Sequence, residues 1–159
     1  MKVLVVDDNA IVRLGLGRIL ARIPDVEEVA EAADGAEAIE VARTFVPDIV
    51  LLDVRMPRMN GLEALPHLTE TSHVIMLTSD EDAATVSKAM DCGARGYLVH
   101  GSLGSEQVAG AIETCRQGGL VLGPEAAAHL ILQRAERERR VNPLLEQLTE
   151  REAEVLEAA

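Results

Sequence analysis

The chain predicts an α/β fold: a doubly wound parallel sheet of five strands with helices on both faces. Three features of the sequence carry this prediction. Short, nearly unbroken apolar runs recur along the chain, as strands buried on both faces require. Between them lie segments with apolar residues at helical spacing. At the junctions stand capping and turn residues such as Asp7-Asp8-Asn9, Asp34-Gly35 and the turn through Pro57 to Gly61.

Taken in order, Val3 to Val6 forms the first strand, and Asp7-Asp8-Asn9 closes it and caps a helix beginning near Ala10 with Val12, Leu16, Ile19 and Leu20 on one face. Pro24 and Asp25 mark a turn, and Val26 to Ala32 is the second strand. A helix after Asp34-Gly35 turns Ala36, Ile39, Ala42 and Val46 inward and ends at Pro47. Ile49 to Leu52 is a third strand, too short for an independent helix, and it ends on Asp53. From Gly61 a helix runs to about Glu70, kinked or shortened by Pro66, which has no amide to donate. His73 to Ser79 is the fourth strand, Asp82 to Cys92 a helix stopped by Gly93, and Arg95 to His100 the fifth strand. Ser105 to Gln117 follows as a helix with Val108, Ala111, Ile112 and Cys115 on one stripe.

Beyond Gly118-Gly119 the expected organisation changes. Residues 1–120 form the α/β domain and 121–142 a linker helix that ends before Asn142-Pro143 and becomes charged from Arg134 to Arg140. That run reads as a solvated face, or as a linker helix touching a partner subunit. Residues 143–159 open another module: Thr149 to Glu152 is a capping box, followed by Val155 and Leu156 with nothing after them to pack against.

Composition narrows the function. A net charge of -12 over 159 residues argues against nonspecific nucleic-acid or anionic-membrane binding by this chain. Cys92 and Cys115 lack metal-ligand spacing and read as small core hydrophobes in a reducing compartment. No apolar run is long enough to span a bilayer, so a cytoplasmic protein with no membrane association is expected.

If the first strand lies between the second and third, the strand ends converge on one crevice at the topological switch point. Asp7 and Asp8 end the first strand, Asp53 the third, Thr78 the fourth and His100 the fifth. Three carboxylates held close repel one another unless a cation sits among them. A hard divalent ion with oxygen ligands answers this, and Mg²⁺ suits because it needs few protein oxygens and keeps waters that a phosphoryl group can replace. Asp53 is then positioned to attack a phosphoryl donor and become an aspartyl phosphate, with the Thr78 hydroxyl donating to a phosphoryl oxygen. An acid-dependent phosphatase would place a second aspartate two residues after Asp53, where this chain has Arg55.

The combination Asp7-Asp8, Asp53-x-x-Met56-Pro57-x-x-x-Gly61, Thr78 and Gly96-Tyr97-Leu98 resembles the receiver domain of two-component response regulators, over residues 1 to about 120. Leu148-Thr-Glu-Arg-Glu-x-Glu-Val-Leu156 looks like the first helix of a LuxR-type helix-turn-helix, which places the chain with the NarL/FixJ class of transcriptional regulators. The resemblance implies a flavodoxin-like (CheY-like) sheet of order 2-1-3-4-5 and a sensor histidine kinase as phosphoryl donor. It implies Mg²⁺ held by Asp8, Asp53 and the backbone carbonyl of Arg55, with Asp7 acting through water, and Thr78 and Tyr97 as a switch pair. It further implies a homodimer, DNA binding only through the part of the C-terminal domain that is missing here, and a signalling switch rather than an enzyme.

His100 departs from the family, which has a lysine there. An imidazole is shorter and only partly charged near neutrality. Three readings stand: a weakened but working switch, a receiver whose output is independent of phosphate and which acts as a ligand-binding or constitutive dimerisation module, and a histidine that only fills the strand end. His67, His73 and His129 are scattered and read as surface or satisfied groups.

Overall fold

The computed structural model describes residues 1–78, 82–99 and 104–123, together with 127–128, 131–132, 135–136 and 138. Strands and helices alternate: β1 (Lys2–Val6), α1 (Ala10–Ala21), β2 (Glu28–Ala32), α2 (Gly35–Phe45), β3 (Ile49–Leu52), α3 (Gly61–Leu68), β4 (His73–Thr78), α4 (Ala83–Asp91), β5 (Gly96–Val99), α5 (Ser105–Arg116) and β6 (Val121–Leu122). All strand pairs are parallel, in the order β2-β1-β3-β4-β5-β6. The expected 2-1-3-4-5 order is present, and the sheet is extended by one strand. Val121 and Leu122, assigned from sequence to the linker, pair with Gly96 and Tyr97. Two residues are too few for a period-2 pattern to reveal a strand. The described residues from Ala127 to Glu138 are helical.

The sheet separates two apolar layers, and strict side-chain alternation assigns each strand residue to one of them. Leu4, Val6, Val50, Leu52, Val74, Met76 and Tyr97 face α2, α3 and α4. Val3, Val5, Ile49, Leu51, Ile75, Leu77 and Leu98 face α1 and α5. The expected stripe of α5, Val108, Ala111, Ile112 and Cys115, is buried throughout. In α1, Leu16 and Leu20 are buried while Val12 and Ile19 are partly so.

The inward face of α2 differs from expectation. Ile39 and Ala42 meet the core as expected, but Ala36 is exposed and Val46 is a left-handed C-cap with its side chain in solvent; Ala38 and Phe45 pack inward in their place. Helical periodicity was extended one residue too far, because Pro47 turns the chain at the residue before it. α3 stops at Leu68, two residues short of the sequence estimate, with Pro66 in its last turn. His100, Ser79 and residues 139–159, which include the capping box at Thr149, lie outside the described residues.

Candidate functional site

Sheet register sets the site. Val6 pairs with Leu52 across β1 and β3, so the next residues, Asp7 and Asp53, leave adjacent strands at the same level. The Asp53 amide continues the ladder by donating to the Val6 carbonyl (3.0 Å), and the Asp7 amide donates to Ala32 on the other side (3.1 Å). One carboxylate oxygen from each of Asp7, Asp8 and Asp53 lies within 4.8 Å of the other two. Asp7 is buried, Asp53 half-buried and Asp8 exposed, so the cluster opens to solvent along one side.

Local hydrogen bonds orient the acids. An Asp7 carboxylate oxygen accepts from the Asn9 amide (2.9 Å) while Asn9 caps α1 through the amides of Ile11 and Val12. An Asp53 oxygen accepts from the Val54 amide (2.8 Å). The Arg13 guanidinium, one turn into α1, donates to the Asp7 carbonyl (2.6 Å) and lies 3.6 Å from Glu31. Sequence reasoning missed Arg13; its signal is position i+4 from the Asn9 cap, which turns it back over the strand end.

The loop after Asp53 is held from both ends. The Gly61 amide donates to the Val54 carbonyl (2.7 Å), and a Cβ on Gly61 would collide with the Asp53 carbonyl oxygen. Only glycine fits that approach, which explains the Gly61 of the sequence motif. Asn60 then caps α3 by accepting from Glu63 (2.9 Å). Thr78, fully buried, ends β4 two residues beyond Met76, the partner of Leu52, at the same end of the sheet as the acids. Tyr97, opposite Met76 on β5, is fully buried in the α2-α3-α4 layer. Arg55 is exposed in the same loop. Thus Asp7, Asp8 and Asp53 come together, Thr78 ends the neighbouring strand β4, Tyr97 lies one strand further along, and His100 falls outside the described residues.

A donor set of three carboxylates suits a hard divalent cation of the Mg²⁺ kind, since all three can offer oxygen and no soft ligand stands among them. Such a centre, next to a half-buried aspartate at a parallel-sheet switch point, can accept and stabilise a group carrying negative charge.

Residues 3–107 match the response regulator receiver domain family. Among curated proteins, the transcriptional regulatory protein LnrK of Bacillus subtilis is 38% identical over 98% of this chain and 75% of its own length. The nitrate/nitrite response regulator protein NarL of Escherichia coli is 36% identical over 97% of this chain and 72% of its own. Among solved structures, a two-component response regulator of the LuxR family from Aurantimonas sp. SI85-9A1 superposes with a TM-score of 0.77 at 33% identity, covering 84% of this chain and 97% of that one.

Proposed function

The chain belongs to the response regulator receiver family, with NarL/LuxR-type transcriptional regulators as relatives, and from that premise we propose that Asp53 is its phosphoacceptor. The observation carrying the proposal is the close approach of the Asp7, Asp8 and Asp53 oxygens at the carboxyl ends of two adjacent parallel strands. An Asp53 carboxylate oxygen attacks the phosphorus of a phosphohistidine on a sensor kinase. The new oxygen–phosphorus bond forms as the phosphorus–nitrogen bond breaks, and the imidazole nitrogen leaves with the electron pair. Asp8, Asp53 and the Arg55 carbonyl would hold Mg²⁺ directly and Asp7 through water; the ion supplies neutralisation of phosphoryl oxygen charge. The Thr78 hydroxyl donates to a phosphoryl oxygen, and burial makes that bond strong. The protein is consumed stoichiometrically as a switch and turns over no external substrate.

The phosphoryl group adds up to two negative charges, which bias the strand ends and, through Thr78 and Tyr97, the surface that forms a homodimer. Such a dimer is the arrangement that would set DNA-binding domains in pairs on half-sites.

One observation favours a second reading, in which output does not depend on phosphate. Tyr97, the residue a phosphate switch would turn inward, is already fully buried. Intact mass after incubation with Mg²⁺ and acetyl phosphate tests both readings. The wild type is expected to gain one phosphoryl group, and Asp53→Asn or EDTA to abolish it. An adduct that survives Asp53→Asn would refute Asp53 as acceptor. No adduct on a wild type that binds Mg²⁺, restored by His100→Lys, would establish the second reading.

A further inference from the structure

Arg58 adopts a backbone φ of +67° in the loop between Asp53 and α3. A side chain with a Cβ is disfavoured there, so something outside the residue must hold it in place. The Arg58 guanidinium nitrogen Nε lies 3.2 Å from Asp34 Oδ2, in the separate loop between β2 and α2. Asp34 is buried and spends its other oxygen on the Glu37 amide at the start of α2 (2.8 Å). Beside this pair the Gly35 amide donates to the Met59 carbonyl (3.0 Å), and a Cβ on Gly35 would stand 2.6 Å from that oxygen. The two loops therefore meet at two adjacent points, and the segment between Asp53 and Gly61 is gripped at its middle as well as its ends.

We propose that Asp34 and Arg58 form a clamp that positions the loop after Asp53, and with it the Arg55 carbonyl, for the divalent cation. The clamp rests on the Mg²⁺ reading above, but its loop-holding role is separable from phosphoryl transfer. Asp34 acts as a positioning residue: it reaches the loop only through Arg58, and its own helix cap ties it to α2. An ion pair with one exposed partner is weak as a source of stability. Its value here is geometric, since it holds a left-handed residue on which the path of the loop depends.

Asp34→Asn tests this cleanly, because asparagine caps a helix as well as aspartate does and leaves the loop sequence untouched. Arg58→Asn, which tolerates the left-handed backbone, is the partner variant. Amide hydrogen exchange of residues 54–60 in metal-free protein and Mg²⁺ affinity by calorimetry are measured on both. Each variant is expected to exchange faster in that loop and to bind Mg²⁺ about 5-fold more weakly, below the 10–100-fold typical of direct partners of a metal ligand. The double variant is expected to be no worse than either single one, while α2 exchange stays unchanged. Unchanged loop exchange in both variants would overturn the clamp. Effects that add in the double variant would overturn the pairing of Asp34 with Arg58. A wild type that binds Mg²⁺ but accepts no phosphoryl group would refute the phosphoacceptor reading and not the clamp. Were the wild type to bind no Mg²⁺, the cation role would fall and loop exchange would decide whether the pair holds the loop.

Discussion

At Asp53 the carboxylate that serves the chemistry also works against the metal-free fold, since it faces Asp7 and Asp8 with their oxygens within 4.8 Å. Solvent on the Asp8 side screens part of the repulsion. Asp53→Asn keeps the acceptor for the Val54 amide and removes one charge, so it is expected to stabilise metal-free protein by roughly 1 kcal/mol. Mg²⁺ should reverse the ranking: at about 100 times its Kd it stabilises the wild type by about 2.7 kcal/mol and the variant by far less. Urea unfolding in EDTA and in Mg²⁺ measures both; a variant less stable than wild type in EDTA would contradict the repulsion. Cys115 supplies a pH dependence of a different kind. Burial pushes its thiol above the ordinary value of 9.0, and the Arg95 guanidinium offsets part of that rise. A raised folded-state value means that the thiol's contribution is fully present below the unfolded value and is lost as pH rises through the folded one. Stability should therefore fall above about pH 9 in the wild type and fall less in Cys115→Ala, with iodoacetamide labelling Cys92 before Cys115 in the native protein. Equal labelling rates would show that burial does not protect the Cys115 thiol.

Among the elements, α3 is the one most dependent on its ends. It has eight residues, carries Pro66 in its last turn, and begins at the glycine pressed against the Asp53 carbonyl. A helix that short has little intrinsic stability, so its cap and its buried Ala64, Leu65 and Leu68 hold it. Asn60→Ala deletes the bond to the Glu63 amide and is expected to cost about 1 kcal/mol. Because α3 packs on the loop that follows Asp53, Mg²⁺ affinity should fall along with the urea midpoint. A midpoint shift with unchanged affinity would mean that α3 and the site are independent. The caps Asn9 and Asp34 were legible in sequence as turn signals before helical spacing, whereas Asn60 was marked there only by the proline and glycine of its turn. The second use of Asp34, toward Arg58, was not legible, because the two are joined only by the packing of two loops.

Over the whole molecule the charge of -12 acts on the compact state as self-repulsion. Screening should relieve it: raising ionic strength from roughly 0.01 M to 0.15 M shortens the screening length from about 30 Å to about 8 Å, and thermal stability is expected to rise. A Tm flat or falling across that range would mean that attractive surface pairs outweigh the net repulsion. The acids of this site are part of the same field, so Mg²⁺ and added salt should act partly in place of one another.

The number of the five main strands, their succession along the chain, their parallel arrangement and the acids at their ends were determined by the sequence alone, while their order in the sheet came from the family resemblance. Apolar runs, helical spacing and capping residues act over a few neighbours and survive without a fold. Tertiary structure decided the rest: the register that sets Asp7 level with Asp53, the sixth strand at Val121–Leu122, the burial of Tyr97 and the pairing of Asp34 with Arg58. Each of these joins residues far apart in the chain, whose meeting depends on how whole layers pack and on no pattern that a short window of sequence contains.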